Sequence, residues 1–252
     1  MESFPVVPWH RRFGQLMPFR VREILLVSSA YDAFVLEEDG SLSDRLFLEY
    51  SELNLSSAPR LSHAASKSEA LRLLESRHFD LVITVVRIGD TDARKLSRII
   101  KRKHQDLPVI LLLFDAADLQ HFPNQQIPHT IDWVFQWAGD AGLLIAAIKL
   151  VEDARNVKHD TDTAGVQVIL VVEDDIDAYS NFLSMLYPEL LSHSGSLIAE
   201  GLNRFHRLLR MRARPKIVLA RDYEQGLLLF ERHAGHVCAL MSDIRIPRGG
   251  KI

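Results

Sequence analysis

Cysteine is nearly absent from this chain. Cys238 is the one example in 252 residues, which excludes an internal disulfide framework and a cysteine-based zinc cluster. No apolar run approaches the roughly 18 residues needed to span a bilayer. An excess of one charge is missing too: 30 Lys and Arg stand against 33 Asp and Glu, a formal net charge of −3. Binding of nucleic acid by bulk charge is therefore not expected. There is no Gly-rich phosphate loop, Walker pattern or Ser-His-Asp order, so nothing supports an independent hydrolase or nucleotide enzyme. The opening MESFPVVPWHRRFGQLMPF has an early acid, early prolines and no small-residue cleavage site, unlike a signal peptide. These absences point to a reducing, cytoplasmic setting. What is present is an ordinary globular balance, 47% apolar and 25% charged. The length allows one or two domains at roughly 100–200 residues each.

Beyond an aperiodic arm over residues 1–20, short β-branched runs alternate with longer helical patterns. Strands are expected at Arg22–Val27, Pro59–Ala65, Phe79–Val86, Leu107–Phe114 and Ile131–Gln136. Between them helices are expected over Tyr31–Leu53 (interrupted at Asp39-Gly40), from the capping box Ser66-Lys67-Ser68-Glu69, over Asp92–His104 and over Asp140–Arg155. Strands and helices alternating at this spacing imply βαβ units and an α/β fold with a doubly wound parallel five-stranded sheet.

The polar stretch Asn156–Gly165 reads as a linker, after which the pattern restarts. Gln167–Val172, Lys216–Ala220 and Val237–Met241 are strands; Ile176–Leu191, Ile198–Met211 and Asp222–His233 are helices. The halves are imperfect repeats. Glu23–Val27 matches Val168–Val172, Ala65–Leu74 matches Ala220–Leu229, and Val82–Gly89 lies over Leu240–Pro247. The expected organisation is an arm (1–20), a complete copy (21–155), a linker (156–166) and an incomplete second copy (167–252) with a helical insertion at about 188–215. A three-strand copy leaves an open sheet edge, and the chain is expected to be a fragment of a longer protein.

In the second copy Glu173-Asp174-Asp175 directly follows one strand, and Asp243 follows another. Both sites are carboxyl ends of parallel strands, where open α/β sheets bind ligands. Carboxylates converging there call for a divalent cation, and an all-oxygen set suits Mg2+. The bland alternative is that the acids cap the following helix.

Ile169–Asp175 together with Ser242-Asp243-Ile244-Arg245-Ile246-Pro247 resembles the receiver domain of two-component response regulators, the CheY-like, flavodoxin-like fold. The resemblance implies a regulatory phosphoacceptor module and not an enzyme. Asp243 would be the phosphoacceptor, served by a sensor histidine kinase or a small phosphodonor. Mg2+ would be held by Glu173, Asp174, Asp243 and the backbone carbonyl of Arg245, with Pro247 shaping the turn. The family's hydroxyl residue and lysine have no counterparts in the second copy's 167–252. More loosely, the tandem arrangement resembles the N-terminal regulatory region of some large bacterial proteins of the phosphoenolpyruvate synthase type.

The first copy resembles the same family, but Ser28 and Ser29 stand where acids are expected, Val85 replaces the acceptor and Leu113 the hydroxyl. A valine accepts no phosphate. This half is read as a pseudo-receiver, a scaffold or dimerisation module whose partner is a second copy of the chain or another part of the same chain. Trp133, Phe135 and Trp137 are candidates for a contact surface, with core packing as the simpler account. Asp80 belongs at the far end of the sheet, and Asp90 and Asp92 to a loop and helix cap.

Three further features have simple explanations. Arg204, Arg207, Arg210, Arg212, Arg214 and Lys216 form an acid-free basic run. A helix docking on its own chain or on a dimer mate explains it better than nucleic acid, since no DNA-reading motif accompanies it. His206, flanked by arginines, is only weakly a phosphohistidine candidate. Cys238, within an apolar strand, is expected to be buried.

Overall fold

In a computed structural model the described residues are 14–36, 42–53, 55, 57–89, 91–123, 126–196 and 211–249. Contacts divide the chain into two units. One holds Val21–Ala147 with Ser180–Ser184; the other holds Met1–Arg20, Ile148–Tyr179 and Met185–Ile252.

The first-sheet unit runs β1 (Glu23–Val27), α1 (Ala30–Leu36), α2 (Leu42–Glu52), β2 (Arg60–Ala64), α3 (Lys67–Ser76), β3 (Leu81–Val85), α4 (Ala93–Lys103), β4 (Val109–Leu113) and β5 (Trp133–Gln136). All neighbours are parallel and the order is β2-β1-β3-β4-β5. This is the flavodoxin-like order of doubly wound α/β folds, as the alternation of elements predicts. Strands β3 and β4 are buried at every position, which is why their sequences are unbroken apolar runs. Each such Val, Ile or Leu removed from water contributes about 1.5–3 kcal/mol.

Local polar chemistry sets the boundaries. Ser66 Oγ accepts the Glu69 N–H at 3.2 Å, opening α3. The Glu69 carboxylate takes the Ala65 N–H at 2.9 Å, so the expected capping box closes one residue early. Asp92 caps α4 by accepting the Lys95 N–H at 2.8 Å, while Lys101, Arg102 and Lys103 occupy its last turn, where cations suit the helix dipole. Asp80 accepts the N–H groups of Arg22 and Glu23 at 2.8 and 3.0 Å, tying the starts of β1 and β3. The break at Asp39-Gly40 lies outside the described residues.

The second-sheet unit contains most of α5 (Gly142–Ala164), then β6 (Val168–Val172), most of α6 (Ile176–Ser196), β7 (Lys216–Ala220), α7 (Tyr223–His233) and β8 (Val237–Ser242). Its three parallel strands have the order β8-β6-β7. A core of Val157, Val168, Leu170, Val172, Val218 and Ala220 lies on one face, with Leu229 and Ile246 packed against it.

Several expectations are corrected here. The stretch read as a linker is the second half of α5, and the helix ends only at Gly165 (φ +62°), whose N–H reaches the Thr161 carbonyl at 2.9 Å. Asn156 and Asp160 in it are buried because they have partners. Asn156 holds both the N–H and the carbonyl of Phe19 (2.9 and 2.8 Å), and Asp160 accepts the Met17 N–H at 3.0 Å. The end of the arm is thereby part of this unit. Pro188, expected near the start of the insertion, lies inside α6.

The described end of the basic run is packed against its own chain. The side chains of Arg214 and Lys216 are 1% and 0% exposed, paired with Asp153 and Asp160. Arg212 donates to the Gly14 carbonyl at 3.1 Å. Arg204, His206, Arg207 and Arg210 lie outside the described residues. Cys238 is exposed, because β8 has a strand neighbour on one side only among the described residues. Phe135 and Trp137 are core residues, leaving Trp133 alone of the three partly exposed. Among the described residues no helix is long and apolar enough to cross a membrane.

Candidate functional site

The two sheets present their carboxyl ends in matching register. Val27 pairs with both Ala64 and Thr84; Val172 pairs with both Ala220 and Ser242. One step beyond lie Ser28 and Val85 in the first sheet, and Glu173 and Asp243 in the second. The same two positions thus carry a hydroxyl and a methyl pair in one sheet and two carboxylates in the other.

In the second sheet the backbone fixes the acids. The Asp243 N–H donates to the Val172 carbonyl at 3.1 Å, and the Glu173 N–H to that of Ala220 at 2.9 Å. One carboxylate oxygen from each of Glu173, Asp174 and Asp243 lies within 4.8 Å of the other two. Glu173 and Asp174 are half-buried and Asp243 is exposed. Asp175 does something else: its carboxylate accepts the Ala178 N–H at 2.8 Å and caps α6. Helix capping therefore accounts for the third acid, while Glu173, whose Oε1 accepts the Asp175 N–H at 3.0 Å, and Asp174 group with Asp243.

Three hard oxygen donors, open to water on the Asp243 side, fit Mg2+, which retains several waters beside one or two carboxylates. Arg245, the residue expected to lend its carbonyl, lies in the exposed bend two positions beyond Asp243. Ile244 donates its N–H to Asp243 Oδ1 at 2.6 Å.

The loop after Asp243 is tied to the start of α7, which sequence reasoning did not foresee. The Tyr223 N–H donates to the Pro247 carbonyl at 3.0 Å, and the Gly249 N–H to Glu224 at 2.8 Å. The Arg248 guanidinium lies 4.7 Å from the Tyr223 ring centre. Gly226 lets α7 approach β6, since a Cβ there would sit 3.2 Å from both γ-methyls of Val172. A glycine in mid-helix is the sequence signal for such a close approach.

The corresponding end of the first sheet carries no such cluster among the described residues. Ser28 is buried, its hydroxyl 2.9 Å from His63 Nε2. Ser29 donates to Asp32 at 2.6 Å and accepts that residue's N–H at 3.1 Å. Val85 and Leu113 are buried.

No family model matches the chain, and no curated protein matches it. Among solved structures, the chain is similar to the signal receiver domain of an HD domain-containing protein from Pseudomonas fluorescens Pf-5. That match has 25% identity over 56% of this chain and 94% of the other, with a TM-score of 0.42. The receiver domain of a signal transduction histidine kinase from Syntrophus aciditrophicus matches at 24% identity over 53% and 91%, TM-score 0.38. A two-component response regulator from Clostridium difficile matches at 17% identity over 54% and 98%, TM-score 0.38.

Proposed function

We propose that this chain is a receiver module of two-component signalling, built as two copies of one fold over residues 21–155 and 167–252. Asp243 accepts a phosphoryl group, while the first copy is a scaffold that takes none. The observation that carries this reading is the meeting of Glu173, Asp174 and Asp243 at the carboxyl end of β6 and β8. Bound Mg2+ would offset the carboxylate charge and coordinate phosphoryl oxygens; Glu173, Asp174, Asp243 and the Arg245 carbonyl would hold it.

In the transfer, an Asp243 carboxylate oxygen attacks phosphorus. A new O–P bond forms as the bond to the donor breaks, whether to the imidazole nitrogen of a phosphohistidine or to the acyl oxygen of acetyl phosphate. The donor leaves with the electron pair. The Ile244 N–H on Oδ1 orients the carboxylate for in-line approach. The Pro247–Tyr223 and Gly249–Glu224 contacts keep the acceptor loop seated on α7.

The test is intact-mass spectrometry after incubation with Mg2+ and acetyl phosphate, beside Asp243→Asn. A phosphoryl adduct that requires Mg2+ and vanishes in the variant is expected. A folded protein that gains no adduct would overturn the reading in favour of a pure interaction module.

A further inference from the structure

We infer that the first-sheet unit carries its own binding site for a phosphorylated small molecule, in a cleft beside the carboxyl end of β3. Beyond Val85 the chain forms a two-residue antiparallel ladder, Arg87-Ile88 against Thr91-Asp92, turning at Gly89 (φ +34°). That hairpin, the first turn of α4 and the segment at His121-Phe122 enclose a cleft of about 510 Å3, the size of a small-ligand pocket.

The lining is cationic. Arg87, Arg94 and Lys95 all border it, against one acid of the lining, Asp92. Neither Arg87 nor Arg94 has a carboxylate partner among the described residues, whereas Lys95 lies 3.3 Å from Asp92 in a solvent-exposed pair. The Asp92 carboxylate is also the cap of α4, already accepting a backbone N–H. Counting Asp90, which lies outside the described residues, positions 87–95 hold three cations and two acids. The second observation is Thr91, whose Oγ1 is buried without a hydrogen-bond partner among the described residues. A buried hydroxyl left unpaired is unfavourable, and an acceptor oxygen admitted beside the cleft's cations would relieve it.

Two guanidinium forks, an ammonium and a hydroxyl supply more donors than a carboxylate can accept, and match the oxygens of a phosphoryl group. Phe122, buried and bordering the same cleft, offers an apolar wall for an organic body. His121 is steadied by the Asp118 carbonyl, which accepts from its Nδ1 at 3.2 Å. The ligand is thus a phosphomonoester or free phosphate. The site is independent of Asp243, and the first copy would sense a soluble anion instead of being phosphorylated.

Calorimetric titration separates the possibilities. The full chain carrying Asp243→Asn is used in excess EDTA, so that the acidic cluster contributes neither metal nor phosphoryl binding. The probes are adenosine 5′-monophosphate, inorganic phosphate, adenosine and succinate. Saturable binding of a phosphate-bearing probe is expected, weakened about tenfold or more in Arg87→Gln/Arg94→Gln and also weakened in Thr91→Val, with circular dichroism unchanged. Tighter binding of the nucleotide than of phosphate identifies a phosphoester as occupant; equal affinity identifies the free anion. Failure of both phosphate-bearing probes to bind at millimolar concentration, equal binding of succinate, or affinity unchanged in the double variant would each overturn the proposal. None of these outcomes bears on phosphorylation of Asp243.

Discussion

Asp153 and Arg214, 61 positions apart, meet inside the second-sheet unit through a two-pronged contact. Guanidinium N–H groups donate to Oδ2 at 2.8 Å and to Oδ1 at 2.9 Å. Both side chains are buried. The same carboxylate accepts the Tyr187 hydroxyl at 3.0 Å and the Ile217 N–H at 3.0 Å. One acid on α5 thereby sets the position of α6, of the residues leading into β7, and of β7 itself. The Tyr187 hydroxyl is held far above its usual pKa by burial, and then by the adjacent Asp153 charge.

Replacing Asp153 by Ala leaves a buried cation and two donors unpaired. The expected loss is about 3–5 kcal/mol, read as a lower urea midpoint. The apolar pair Asp153→Leu/Arg214→Met is expected to recover part of it, because it removes the stranded charge but leaves the Tyr187 hydroxyl and the Ile217 N–H without an acceptor.

The acidic cluster predicts a change of sign with metal. Without divalent cations, Asp174→Asn relieves repulsion between carboxylates less than 4.8 Å apart, worth up to about 1 kcal/mol in water, and the variant is slightly the more stable. With Mg2+ the wild-type chain gains stability by ligand linkage and the variant gains less. Thermal melts in EDTA and in Mg2+ should therefore cross. Parallel curves would count against a cation site.

Buried His233 makes stability depend on pH. Burial, followed by the neighbouring Arg232 and His236 charges, lowers its pKa from the usual 6.5. The unfolded chain then binds more protons than the folded one between that lowered value and about 6.5. Stability from this group is full above about pH 6.5 and is lost as the pH falls through the folded value. Denaturant midpoints in His233→Gln should change less with pH over that window than in the wild-type chain.

Gly226→Val would place side-chain atoms against Val172, where even a Cβ sits at 3.2 Å. Overpacking of this kind costs about 1–3 kcal/mol. Val172 immediately precedes Glu173, so weaker Mg2+ binding is expected alongside the lower unfolding midpoint. Calorimetric titration with Mg2+ reads the second effect directly.

The sequence made the strands and the acids at their ends legible for one reason. Strands buried on both faces are written as uninterrupted apolar runs, so the residue that ends the run is also the one that emerges at the sheet's edge. Val172-Glu173 follows that rule, whereas β8 is largely exposed and its apolar run ends at Met241, one residue before the strand does. Arg214 and Lys216 do not follow the rule, because what buries them is an acid on a distant helix, and nothing nearby in sequence announces it. Asn156 and Asp160 misled for the same reason: polar residues suggest solvent until their buried partners, the arm backbone and Lys216, are known. Cys238 misled in the opposite direction. An apolar strand is buried only when both of its sides are covered, and that depends on neighbours, not on its own residues.

At the end of the first sheet Ser28 and Ser29 already spend their hydroxyls on His63 and Asp32. The molecule therefore carries an internal control. Two strand ends with the same pairing pattern share one solvent and one temperature, and differ in formal charge. Divalent cations and chelators should register at the acidic end and leave the other silent. A probe placed beside each would report the chemistry of three carboxylates against a background supplied by the protein itself.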